Sequence, residues 1–164
     1  MKHLYLLRHA KSSWDDPTLA DSERPLAPRG ERAGKKLAKH IERENIRPAL
    51  VLCSSARRTR DTLQRIAAVL GRADVRIEDD LYAASERELL ARLRSVPDSV
   101  DSVMVIAHNP GLQDLVLTLG GESAAPLAEG FPTGALATLA VPSWSELGHG
   151  SAELVAYVVP RDLA

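Results

Sequence analysis

His3-Leu4-Tyr5-Leu6-Leu7-Arg8-His9-Ala10-Lys11-Ser12 begins as an apolar run and stops at a guanidinium and an imidazole side by side. A short apolar run bounded by polar residues reads as a strand buried on both faces. In open α/β sheets ligands bind beyond the carboxyl ends of such strands, so Arg8 and His9 are expected at the mouth of a site. Two further runs repeat the pattern. Ala49-Leu50-Val51-Leu52-Cys53 leads into Ser54-Ser55-Ala56-Arg57-Arg58, and Val103-Met104-Val105-Ile106-Ala107 leads into His108-Asn109-Pro110-Gly111. If these strands are parallel neighbours, one crevice collects at least two guanidiniums and two imidazoles, with no carboxylate in the same turns. Such a cluster repels itself unless an anion sits in it.

Helical patterns separate the runs. After a polar loop over residues 12–28, Ala33, Leu37 and Ile41 recur every four residues and predict an amphipathic helix from about residue 29 to 44. Ser55 is the expected N-cap of the next helix, whose apolar face is Leu63, Ile66, Ala67 and Leu70 and which Gly71 closes. That start places Arg57 and Arg58 in a first turn, where the macrodipole disfavours cations and a bound anion would relieve the conflict. Val75-Arg76-Ile77 alternates like a short strand. Ser85-Glu86-Arg87-Glu88 is a capping-box pattern opening a helix that buries Leu89, Leu90 and Leu93.

Pro110 suits a helix start, and Leu112, Leu115, Val116 and Leu119 form its buried face before Gly120-Gly121. Residues 121–134, rich in small residues and proline, read as a long surface loop, and 136–141 and 153–159 as the last two strands. The alternation predicts an α/β fold, with a mostly parallel central sheet of about five or six strands covered on both faces, in one domain over residues 1–164.

With 45% hydrophobic and 26% charged residues and a net charge of -1, the chain has no general pull towards nucleic acid or membrane. The single Cys53 excludes an intramolecular disulfide and offers no thiolate cluster, so a reducing, cytoplasmic setting is expected. The first apolar run is too short for a signal-peptide core or a membrane span. The five histidines lack H-E-x-x-H spacing, and neither a P-loop nor a carboxylate pair for magnesium is present. No metal or cofactor is expected.

Guanidiniums bind phosphate oxygens bidentately, which makes phosphate the first candidate ligand. A cysteine phosphatase would need an arginine six positions after its thiolate, but Thr59 stands there, and Cys53 belongs to an apolar run. A nucleophilic histidine fits better.

Arg8-His9-Ala10-Lys11-Ser12, with Trp14 close behind, resembles the R-H-G-x-S mark of the histidine phosphatase superfamily, and Ala10 in the glycine place resembles its SixA-type phosphohistidine phosphatase branch. The resemblance continues through Arg24-Pro25-Leu26 with Arg29-Gly30, and through Ser54-Ser55-Ala56-Arg57-Arg58-Thr59-Arg60-Asp61-Thr62. Ala107-His108-Asn109-Pro110-Gly111 and Phe131-Pro132-Thr133-Gly134-Ala135 are likewise similar to segments of that branch.

The resemblance implies a phosphoglycerate mutase-like three-layer αβα sandwich without a large cap insertion. It also implies a covalent phosphohistidine on His9, with Arg8, Arg58 and His108 holding the phosphoryl oxygens. By its register Arg58, not Arg57, is the second phosphate-binding arginine. Ser12 would be a secondary phosphate donor or an N-cap.

Larger members of the superfamily have a glutamate acid where this chain reads Leu81-Tyr82-Ala83-Ala84-Ser85; Asp79, Asp80 or Glu86 could reach in. A site lacking an acid should favour an activated phosphoryl group such as phosphohistidine. The expected partner is therefore a phosphorylated protein histidine or a small phosphorylated substrate. The alternatives are a small-molecule phosphomonoesterase and a phosphate-binding regulatory module without turnover.

Overall fold

The computed structural model describes residues Met1–Ala164. Alternate side chains of its strands point to opposite faces, and here both faces are apolar. On β1 (Lys2–Arg8), Leu4 and Leu6 enter one core and Leu7 the other. On β2 (Leu50–Ser54), Leu50 and Leu52 enter the first core, while Val51 and Cys53 enter the second. The same division runs along β4 (Ser102–Ala107), with Val103 and Val105 opposite Met104 and Ile106.

Helices α1 (Pro28–Arg43) and α2 (Arg57–Ile66) close the second core with Leu37, Ile41, Leu63 and Ile66. Helices α3 (Glu86–Arg94) and α4 (Gly111–Gly120) close the first with Leu89, Leu93, Leu112 and Leu115. The result is the expected three-layer αβα sandwich. No helix is long and apolar enough to cross a membrane.

With β3 (Asp74–Glu78), β5 (Leu136–Val141) and β6 (Glu153–Val158), the sheet has six strands in the order β3-β2-β4-β1-β5-β6. The pairs β2/β3, β2/β4 and β1/β4 are parallel, and β5 is antiparallel to both β1 and β6. Because β4 lies between β1 and β2, three strand ends finish side by side. Arg8 is in register with Ala107, and Cys53 with Ile106, so the residues that follow each strand share one crevice.

Two backbone approaches hold that crevice. A Cβ on Gly30 would lie 2.1 Å from the Lys11 carbonyl oxygen, so only glycine lets the start of α1 press against the loop after His9. Gly134, at φ +77°, donates its N–H to the carbonyls of Arg8 (3.0 Å) and His9 (2.9 Å), tying the turn before β5 to the end of β1.

The Ser85–Glu88 capping box is present in both halves. Three local expectations need correction. The residue before α2 is Ala56, not Ser55, because β2 extends through Ser54, whose hydroxyl accepts the Ala56 N–H at 3.3 Å. Helix α2 stops at Ile66, and a 3-10 turn over Ala67–Val69 leaves Ala67 exposed before Gly71 at φ +78°. The loop expected over 121–134 is a packed 3-10 stretch, Gly121–Glu129, followed by Phe131; it buries Ala124, Leu127 and Phe131 in the core. Its glycines and proline signal turns, but three apolar side chains, spaced three and four residues apart, are enough to seat it.

Candidate active site

His9 stands just beyond β1, donates its backbone N–H to the Ala107 carbonyl at 3.2 Å, and is 6% exposed. Nδ1 lies 2.8 Å from the Ala10 carbonyl oxygen. A carbonyl can only accept, so this bond places the proton on Nδ1 and leaves the lone pair on Nε2. His108, just beyond β4, brings its ring centroid to 5.3 Å from that of His9. Its Nε2 is 2.8 Å from the Ser54 hydroxyl at the end of β2, and its buried Nδ1 has no protein partner. The expected convergence of the three strand ends is therefore present.

Arg8 donates from Nη1 to the Phe131 carbonyl at 3.1 Å, and its Nε is buried without a partner. A buried donor left unsatisfied costs about 1–3 kcal/mol, so these two atoms mark a place built for something more than packing. Arg58, in the first turn of α2, is 8% exposed. Arg57 is half exposed and pairs with Asp61 at 3.6 Å. Arg58 is thus turned into the cluster and Arg57 towards solvent.

The cluster contains a carboxylate after all. Asp21, on a 3-10 turn over Asp21–Glu23 in the loop before α1, accepts from Arg58 Nη2 at 3.0 Å, from Arg24 Nη1 at 3.1 Å and from the Tyr82 hydroxyl at 2.5 Å. Its backbone carbonyl accepts from Arg58 Nη1 at 2.8 Å. Tyr82 in turn presents its ring edge-on to His108, with centroids 5.7 Å apart. Sequence reasoning missed Asp21 and gave no role to Ser54, Tyr82 or Arg24. The available signal was the three-residue spacing of Asp21 and Arg24, which sets Asp21 apart from Asp15 and Asp16 in the same loop but does not point to Arg58 or Tyr82.

Ser12 is buried but caps no helix; it pairs as a β-bridge with Leu26, and its hydroxyl accepts from Arg24 Nη2 at 2.6 Å. Arg24 also donates to the Ser13 carbonyl at 3.0 Å and lies 3.2 Å over the Trp14 ring. It is the strut of this loop. None of the acids expected from sequence reaches the histidines. Asp79 and Asp80 line a separate depression with Glu88 and Arg92, and the Glu86 carboxylate accepts from the Thr118 hydroxyl on α4. Burial pushes the Cys53 thiol up to about 12, so a thiolate is absent at neutral pH.

The model of the histidine phosphatase superfamily (branch 1) matches residues 4–89, which include Arg8, His9, Asp21, Ser54, Arg58 and Tyr82. The chain belongs to this superfamily. An uncharacterized protein of Mycobacterium leprae is 37% identical over 166 residues, covering 94% of this chain and 100% of its own length. The crystal structure of a protein of Agrobacterium tumefaciens, provisionally named phosphohistidine phosphatase SixA, shares 30% identity at a TM-score of 0.85, covering 97% of this chain and 98% of that one. A protein histidine phosphatase SixA solved with tungstate has the same fold at 23% identity, with a TM-score of 0.82 and 98% of each chain covered. This histidine phosphatase is thus of the SixA type, with the phosphoglycerate mutase-like sandwich and no large insertion.

Electrostatics separate the roles of its titrating groups. Burial, and then the charges around it, hold His9 down at about 3 against the partial opposition of the Ala10 hydrogen bond. Burial and the Arg58 charge hold His108 at about 4. Both imidazoles are neutral at pH 7. Tyr82 first, with Arg24 and Arg58, holds Asp21 down at about 2, so it stays ionised.

Unfolded histidines take up protons near pH 6.5 whereas these two resist until about 3–4. Stability contributed by the pair is therefore complete above pH 6.5 and lost as the pH falls towards 4. Urea unfolding at successive pH values should show stability falling with pH between pH 6 and 4.5, with a slope approaching two protons per chain. Inorganic phosphate, which favours the protonated rings, should reduce the slope. A flat profile in this interval would contradict the neutral pair.

Proposed function

We propose that this phosphatase hydrolyses protein phosphohistidine, a phosphoramidate, through a covalent phosphoryl group on His9. The observation that carries the reading is Asp21. It is the carboxyl group that reaches Arg58 and Tyr82, and three hydrogen bonds keep it ionised. It therefore has no proton to give an alcohol leaving group at neutral pH. An imidazole leaving group has a conjugate acid of about pKa 6.5, against about 10 for a phenol and higher for an alcohol, so it departs without a dedicated acid.

In the first step the lone pair on His9 Nε2 attacks phosphorus of a phosphohistidine whose other ring nitrogen carries a proton. The P–N bond to the substrate breaks with its electron pair passing to the substrate nitrogen, so that neutral imidazole departs and no further proton is needed. The Ala10 carbonyl, accepting from Nδ1, keeps Nε2 as the attacking atom and supports the positive charge that grows on the ring. In the second step water attacks phosphorus, the P–N bond to His9 breaks, and phosphate and neutral His9 result.

Arg8, Arg58 and His108 hold the equatorial oxygens, where the charge of a loose transition state lies. Two of the five N–H donors of Arg58 bind Asp21, which fixes the guanidinium plane and leaves the others for phosphate. Ser12 is assigned as a secondary donor steadied by Arg24. The domain is assigned to residues 1–164, and the buried free Cys53 suits a reducing, cytoplasmic setting.

The test is phosphate release by the purified protein from a phosphohistidine peptide and from an alkyl phosphomonoester. Preference for the phosphoramidate supports the reading; equal or reversed kcat/KM values overturn it.

A further inference from the structure

A second feature lies beside the phosphate site. Arg29, Arg32 and Lys36 fall on one face of α1 at spacings of three, four and seven residues. Lys11, two residues after His9, and Arg161, on the 3-10 turn over Pro160–Asp162, face them across a cleft of about 520 Å³ walled by Pro132, Thr133 and Pro160. None of the five cations forms an ion pair within 4.0 Å, although the chain as a whole is slightly acidic. Like charges one helical turn apart repel, so this face is kept at a cost that its own acids do not offset. The cleft also leads somewhere. The depression that Arg8 lines shares Pro132, Val159 and Arg161 with it, so the cleft opens at Arg161 towards the arginine assigned to phosphate, past Glu129 and Asp162, which also line the depression.

We propose that this cleft receives an acidic segment of the phosphoprotein substrate, next in the chain to the phosphohistidine that enters the site. The inference rests on the proposed function and names its partner by chemistry. A single phosphate would need one or two of these cations, whereas five spread along a cleft match several carboxylates in succession. No aromatic residue lines it, so it offers no platform on which nucleic-acid bases could stack. Carboxylates on a flexible segment need only charge and reach.

The test pairs binding with kinetics, using wild type and the double variant Arg32→Glu/Lys36→Glu. Arg32 is exposed and Lys36 partly so, and neither belongs to the assigned phosphate site. An unphosphorylated labelled hexaglutamate should bind wild type with an affinity that falls steeply with salt, and the variant should bind it about tenfold or more weaker. On a phosphohistidine peptide flanked by glutamates the variant should lose a similar factor through KM. On a peptide of equal length flanked by Gly and Ser it should match wild type.

Equal losses on both peptides, unchanged hexaglutamate binding, or tighter binding of a single-stranded DNA of equal charge would overturn the proposal. If hexaglutamate binding follows the prediction while wild type releases no phosphate from either peptide, the cleft stands and the phosphohistidine reading falls.

Discussion

Replacing His9 by alanine is expected to lower kcat by about 10⁴-fold or more, because no other group in the site is free to take the phosphoryl group. Ser12 is tied to Arg24, Ser54 to His108, and the Cys53 thiol is buried and protonated. The imidazole of His108 is near enough to compete, but its Nε2 is engaged with Ser54, and His9 alone has the tautomer fixed by a carbonyl. Affinity for inorganic phosphate should change far less, within about tenfold, since Arg8, Arg58 and His108 remain. Steady-state kinetics and calorimetric phosphate binding on the same preparation separate the two effects. A His9→Ala protein with more than about a hundredth of the wild-type kcat would mean that another residue, or water, attacks phosphorus.

The second large effect is on the leaving group. General acid catalysis contributes about 10²–10⁴-fold when the leaving atom needs a proton, and this site has no protonated carboxyl to supply it. Phosphohistidine should therefore exceed an alkyl phosphate by about 10³-fold in kcat/KM, with aryl phosphates between them in the order of their leaving-group pKa. The acids proposed from sequence sharpen this expectation. Asp79 and Asp80 are exposed on another depression, and Glu86 is bound to Thr118, so neutralising any of the three should leave the ratio unchanged. A ratio near one would mean that a proton donor reaches the leaving group.

Much of this was legible in the chain because burial on both faces writes itself as an unbroken apolar run. β1, β2 and β4 could be read, and with them the location of Arg8, His9 and His108, since a residue just past a central strand has nowhere to go but the crevice. The two-sided sheet also made the helices readable from their stripes. Most of what stayed hidden in the site has a common cause. Asp21, Tyr82 and Ser54 matter through hydrogen bonds closed across long stretches of sequence, as in the 61-residue separation of Tyr82 and Asp21, and no local pattern encodes such a closure, whereas Arg24 bonds only within its own loop. The packed stretch Gly121–Glu129 escaped for a different reason: within the 3-10 stretch only Ala124 and Leu127, one turn of three residues apart, are buried, too few to stand out as a stripe among glycine, proline and small residues. Asp21 also changed the chemistry inferred. A cluster of cations read as wanting only an anion from outside contains one of its own, and that internal anion orients Arg58.

The most direct test of the central claim is rapid-quench trapping with a phosphohistidine peptide, followed by peptide mapping under alkaline conditions that preserve phosphoramidates. The expected result is one acid-labile phosphoryl group per chain, on His9 Nε2, formed before the first phosphate is released and missing from the His9→Ala protein. A phosphoryl group mapped to a different residue, or steady turnover with no trapped adduct at times shorter than one catalytic cycle, would contradict it.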